Sequence, residues 1–421
     1  MTRTIDALEA ALHASAPSDI DIDEMLATVR RRAPVRRRNR VIASVSATVV
    51  LTAGAIAVPA LLAGRGDVAA PLPAATFTGD CTIEALRLPD SVADMYAQTA
   101  VQAFAVDMDP TGRFVLARFT RADGQDDRTP MTVLWDHGVP TALPTIAASA
   151  FGEGVNAHGT VVGTMTVGTD QSGIVSRVSS QAFVYENGSL AVLPLPVGYL
   201  GASAHAINER GEIAGFVIHE GSQMWQAAVW SAGAGRTPRV LESPGASFAT
   251  GISSDGTVVG TATVAGPLTD PELERPYVWR PDGVGRFLEL PEGYTTGRAH
   301  RVRGEWALGG ASTLVSTGPY GTVDSVVLWN VRTSAVSIVD GRGGGPNRAV
   351  NAHGDVVTFD GVGSTLTRDG RRYPLPHLNH GRSTVGLSAF ATAISDDATV
   401  ILGEHSTDIW DGPTPIVLWH C

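Results

Sequence analysis

The stretch SAHAINERGEIAGFV, residues 203–217, is followed by QAAVWS at 226–231 and by PRVLESP at 238–244. It reads as four short strands. A small-residue strand ends in a polar turn, a second strand is rich in apolar residues and Gly, a third closes on Trp, and a fourth closes on Leu and Pro. The same grammar recurs between Val106 and Cys421, with turns aligned at Asp109–Gly112, Asn156–Gly159, Asn208–Gly211, Ser253–Gly256, a shortened Val302-Arg303-Gly304, Asn351–Gly354 and Ser395–Ala398. Asp109 and Ser395 lie 286 residues apart over six intervals, or about 48 residues per unit. Four strands at that period are the signature of a β-propeller blade, and seven units fill the chain. The expected fold is therefore all-β, a seven-bladed propeller over residues 81–421.

The residue types explain the turns. Asn, Asp or Ser at the first position can bond its own backbone two residues on, and Gly supplies the positive φ. Trp135, Trp230, Trp279, Trp329 and Trp419, with Tyr185 in the second unit, share one strand position and read as blade packing. The seventh unit stops at PIVLWHC without a fourth strand, while CTIEALRLP at 81–89 matches the fourth strands FLELP, LAVLPLP and PRVLESP. The N-terminal segment is thus expected to close the last blade, leaving no open join. The chain's two cysteines, Cys81 and Cys421, flank that seam and are expected to form a disulfide, which requires an oxidising compartment.

Residues 41–62, VIASVSATVVLTAGAIAVPALL, carry no charge, and 22 residues suffice to span a bilayer core. Seven Arg between Arg30 and Arg40 precede them, which places that side in the cytoplasm. The expected organisation is an Arg-rich cytoplasmic tail at 1–40 with short helical patterns, a transmembrane helix at 41–63 and a linker at 64–80. The propeller then lies outside the cell. A cleaved signal peptide is the competing reading. Residues 1–29 read either as a docking segment for a cytoplasmic partner or as a solvated tail.

The formal net charge is −11, and residues 1–40 hold eight Arg against six acidic residues, so the remainder carries about −13. An acidic propeller argues against nucleic acid as a partner. The expected partners are a cell-envelope polymer, a small ligand or another protein, together with the membrane.

Three residues before each turn the sequence gives Val106, Glu153, His205, Thr250, His300, Arg348 and Thr392. This ring is mostly polar and differs from blade to blade, as a specific channel-mouth site would; it would also suit a solvent-filled channel with no ligand. The binding candidates are Glu153, His205, Thr250, His300, Arg348 and Thr392. His158 and His353, in equivalent Asn-Ala-His-Gly turns four blades apart, read as turn residues rather than metal ligands. The loop from Pro267 to Glu274 could attract a cation through Asp270, Glu272 and Glu274 but reads as a solvated acidic loop. No nucleophile motif, phosphate loop or metal spacing is present, and no cofactor is expected.

The unit AINERGEIAGFV, AAVWS, VLESP resembles the HAF repeat of bacterial exported proteins. The resemblance covers residues 81–421; the fifth unit departs at Arg303-Gly304-Glu305 and the sixth has Leu366-Thr367 where Trp is usual. It implies an extracellular propeller and assigns no catalytic residues. The expected function is a non-catalytic, membrane-anchored binding or sensing module. The alternatives are a cell-envelope glycan lyase or hydrolase with Glu153 and His205 or His300 as acid and base, and a transmembrane regulator of a cytoplasmic partner such as a sigma factor.

Overall fold

The first-to-second-strand turns led by Asp109, Asn156, Asn208 and Asn351 fold around that residue's side chain. Asn156 Oδ1 accepts from the backbone N–H of His158 and Thr160, and Asn208 Oδ1 from those of Arg210 and Glu212. The same side chains then reach outward. Asn156 Nδ2 donates to the Asn208 carbonyl at 3.1 Å, and Asn208 Nδ2 to the Ser253 carbonyl at 3.0 Å. Asn351 Nδ2 repeats the link to the Ser395 carbonyl at 3.3 Å. One residue type therefore closes its own turn and stitches it to the next blade.

The computed structural model describes residues 77–98, 101–121, 130–144, 149–166, 180–222, 224–233, 235–265, 274–314, 322–340, 349–359, 363–378, 388–406 and 415–421. They form seven four-stranded antiparallel sheets. The innermost strands are Val101–Met108, Ser149–Val155, Tyr199–Ile207, Ser247–Ile252, Thr296–Arg303, Ala349–Val350 and Ser388–Ile394. Six sheets run in simple sequence order from first strand to fourth. In the seventh, Thr82–Ala85 pairs with Ile416–His420 as the outer strand, in the register Thr82 opposite His420 through Ala85 opposite Val417. Leu86 confirms the equivalence. Its N–H bonds the Ile416 carbonyl, as Leu193 bonds Ala182, Leu241 bonds Ala227 and Leu288 bonds Pro276 in intact blades. Cys81 and Cys421 form the expected disulfide across this seam.

The expected tail, membrane span and most of the linker lie outside the described residues, as does Arg348. No helix among the described residues is long and apolar enough to cross a membrane.

The repeated Trp has a sharper role than packing. Trp135, Trp230, Trp279, Trp329 and Trp419 are buried, and each indole N–H donates to a carbonyl just beyond the fourth strand of the preceding blade: Arg87, Pro194, Glu242, Glu289 and Pro376 respectively, at 2.6–2.8 Å. Each Trp thus fills its blade and clamps its neighbour. Trp329→Ala is expected to cost about 3–5 kcal/mol of stability, read from the guanidinium midpoint. A loss under about 1 kcal/mol, as at surface positions, would remove the clamp.

Two features lay outside the sequence reading. A helix at Asp90–Gln98 follows the closing strand and packs Val92 and Met95 into the cluster joining blades seven and one. The shortened turn of blade five is a tight hairpin with Arg303 opposite Trp306 and Gly304 at φ +54°, so that blade is complete.

Candidate functional site

The first strands line the central channel, and in the six whose pairing extends that far the residue five before the turn is Phe104, Phe151, Phe248 or Phe390 in four blades and Ser203 or Arg298 in blades three and five. Opposite them on the second strands stand Arg118, Thr164, Phe216, Thr261, Gly310 and Glu404. The second strand must come close at this level. A Cβ on Gly163 would lie 1.8 Å from the Phe151 carbonyl oxygen, and one on Gly403 2.1 Å from that of Phe390. A bulge after the fourth residue before the turn frees the third to point at the channel.

The result is a cavity of about 660 Å³, within the usual range for small-molecule sites. Its walls include Glu153, His205, Thr250, His300 and Thr392, so the described members of the sequence-derived ring do converge. Several also serve the scaffold. His205 Nδ1 lies 2.8 Å from the Ala249 carbonyl, which can only accept, so Nδ1 carries a proton. Thr250 Oγ1 donates to the Ala299 carbonyl at 2.8 Å. Both therefore tie one blade to the next. His205 Nε2 stands 3.0 Å from Ser203 Oγ and 3.8 Å from Glu153 Oε2, and the Thr164 hydroxyl donates to Glu153 Oε1 at 3.2 Å. This makes a connected Glu–Thr–Ser–His array on blades two and three.

The two groups that sequence reasoning missed are Arg118 and Glu404, in blades one and seven. Both line the cavity. Glu404 Oε2 accepts from the Ala105 N–H at 2.9 Å. Burial nevertheless pushes its carboxyl up to about 7, against the smaller opposing effects of that hydrogen bond and the nearby Arg118 charge. Arg118 is lowered by burial, with Glu153 and Glu404 acting the other way. Its guanidinium carbon sits 5.3 Å from the Phe104 ring centre and 5.0 Å from that of Phe151. The signal was present in the sequence. After the small residue of the second strand the units read Gly163-Thr164, Gly215-Phe216, Gly260-Thr261 and Gly309-Gly310, but Ala117-Arg118 and Gly403-Glu404.

Further along the channel, Arg301 of blade five ion-pairs with Asp107 of blade one and donates to the Val106 carbonyl at 2.8 Å. Arg303 donates to the Met108 carbonyl at 3.1 Å. Blades one and five are not neighbours, so these side chains cross the channel.

Among the described residues no cluster of His, Cys, Asp and Glu could hold a metal. His353 Nδ1 bonds the Asp396 carbonyl at 2.8 Å, as a turn residue. Glu274 is buried and bonded twice by Arg298, while Asp270 and Glu272 lie outside the described residues.

No protein-family model matches the sequence, and no curated protein does. Solved structures of similar shape include the β-propeller domain of the Trilobed protease from Pyrococcus furiosus, at TM-score 0.48 and 10% identity, covering 76% of this chain and 95% of that one. An oligogalacturonate lyase in complex with manganese matches at TM-score 0.48 and 12% identity, over 76% and 90%. A puromycin hydrolase matches at TM-score 0.48 and 14% identity, over 75% and 51%. These likenesses concern the fold. The expectation of a non-catalytic propeller is withdrawn, since the neighbours include propeller-bearing enzymes by name, and the likeness of fold assigns no activity in its place. The sequence reading reached that expectation without Glu404, a carboxyl titrating near neutrality in the channel lining.

Proposed function

We propose that this chain is a membrane-anchored, extracellular propeller of the HAF-repeat kind whose channel mouth binds a polar cell-envelope molecule and transfers a proton to or from it, as a glycan lyase or hydrolase does. Glu404 carries the reading. A general acid or base works best with a pKa near the working pH, and burial holds this carboxyl at about 7 inside a ligand-sized cavity. Arg118 supplies the counter-charge beside it, and the Glu153–His205 array offers a second proton carrier across the mouth. The exterior location draws support from the Arg cluster before the apolar segment and from the Cys81–Cys421 bond.

The test uses the full chain, purified in mild detergent and incubated with solubilised bacterial cell-wall glycans, with products followed by mass spectrometry. Wild type is expected to form new products with a rate limb near pH 7, and Glu404→Gln to lose at least about 100-fold of that rate. Equal product formation by the variant, or none by wild type on any glycan fraction, would defeat the proposal.

A further inference from the structure

We propose that the channel mouth engages its ligand through a carboxylate seated on Arg118, and that the ligand enters end-on, as a free acidic sugar or the acidic terminus of a glycan. This rests on reading the mouth as a binding site and specifies what it binds.

The first support is the state of the cations. Three arginines line the cavity among the described residues. Arg301 is held by Asp107 and the Val106 carbonyl, and Arg303 by the Met108 carbonyl. Arg118 is stacked between two Phe rings, and its Nε is buried with no hydrogen-bond partner among the described residues. A buried, unsatisfied guanidinium donor is costly in an empty site and satisfied by a planar acceptor, and a carboxylate fits that fork in two parallel bonds. The Thr392 hydroxyl in the same wall is also buried with no hydrogen-bond partner among the described residues.

The second support is the shape of the walls. Phe104 and Phe390 are partly exposed on the cavity beside Arg118 and Glu404. Aromatic faces next to charged groups suit a ring that is apolar on its C–H face and polar at its edge. A sugar acid combines that face with a carboxylate.

The third support is the obstruction. The Arg301 and Arg303 side chains reach from blade five to blade one, so a polymer cannot thread the channel from end to end. A small molecule or a chain terminus can still enter.

The experiment measures calorimetric binding of D-glucuronate and of D-glucose to the full chain, to Arg118→Gln and to Glu404→Gln. Wild type is expected to prefer glucuronate by about 10-fold or more, the worth of one charge-assisted contact. Arg118→Gln should bring that ratio to about one, whereas Glu404→Gln, which removes a competing carboxylate beside Arg118, should keep the preference or increase it. In a second arm, linear polyglucuronate is held at constant total uronate and cut into about ten times as many chains, which should raise the bound fraction in proportion to the added ends. Equal binding of the two sugars, binding of neither, a preference that survives Arg118→Gln, or indifference to the number of ends would each overturn the proposal. Failure of the proton-transfer reading shows separately, as turnover that persists in Glu404→Gln while the glucuronate preference holds.

Discussion

The Cys81→Ser/Cys421→Ser variant is expected to lose about 6 kcal/mol of unfolding free energy, the chain-entropy value for a cross-link closing a very long loop. The bond joins residues 340 apart in sequence, so its removal frees almost the whole propeller in the unfolded state. The folded state is weakened at the same place. Thr82–Ala85 is held to blade seven by four residue pairs, and its side chains are mostly exposed. Ile83, Cys81 and Cys421 pack against the Trp419 cluster, while Leu86 belongs to the cluster shared with blade one. Without the covalent tie, the closing strand can leave, and Ile416–His420 becomes an unpaired edge. Guanidinium titration of the full chain, followed by Trp fluorescence, reads the loss. Limited proteolysis between the apolar segment and Leu88 should accelerate in the variant and in reduced wild type alike. A midpoint change equivalent to less than about 1 kcal/mol would show that strand pairing alone closes the ring.

Much of this architecture was legible because propeller geometry is local and periodic. Asn208 caps its own turn with atoms two and four residues away, and Trp230 meets the end of the preceding blade 36 residues earlier, so both recur at the repeat interval and can be read from it. The missing strand of blade seven was visible for the same reason, since CTIEALRLP repeats a pattern seen elsewhere. The channel has no such period. Arg301 reaches Asp107 across 194 residues, a contact that nothing local encodes. Its sequence trace is indirect. Two residues before the turns, Gly154, Ala206, Gly251, Ala349 and Ala393 are small, and only Asp107 and Arg301 are charged. His205 and Thr250 show the converse limit. Their variety suggested a ligand site, yet each bonds a carbonyl of the next blade. The helix at Asp90–Gln98 was missed because it falls between the closing strand and blade one, outside the repeat.

Glu404→Gln is expected to stabilise the protein by about 3 kcal/mol at pH 8 and by under about 1 kcal/mol at pH 5. The ordinary carboxyl value is 4.5 and the folded value is about 7, raised first by burial. Between those values the folded chain holds a proton that the unfolded chain has released. Wild-type stability therefore falls as pH rises through this window, and above the folded value the full cost of a buried carboxylate remains. Gln keeps the acceptor for the Ala105 N–H and carries no charge, so it removes the slope. Arg118 opposes the shift, and Arg118→Met should therefore raise the Glu404 value further and extend the slope to higher pH. Carbon-detected NMR of the Glu carboxyls measures the titration directly, and denaturant midpoints at the two pH values measure its energy. Coincident stability–pH profiles for wild type and Glu404→Gln would mean that Glu404 titrates as an ordinary surface carboxyl, leaving the channel without its neutral-pH acid. A variant that is more stable yet inactive would instead identify Glu404 as a group retained for chemistry at the expense of the fold.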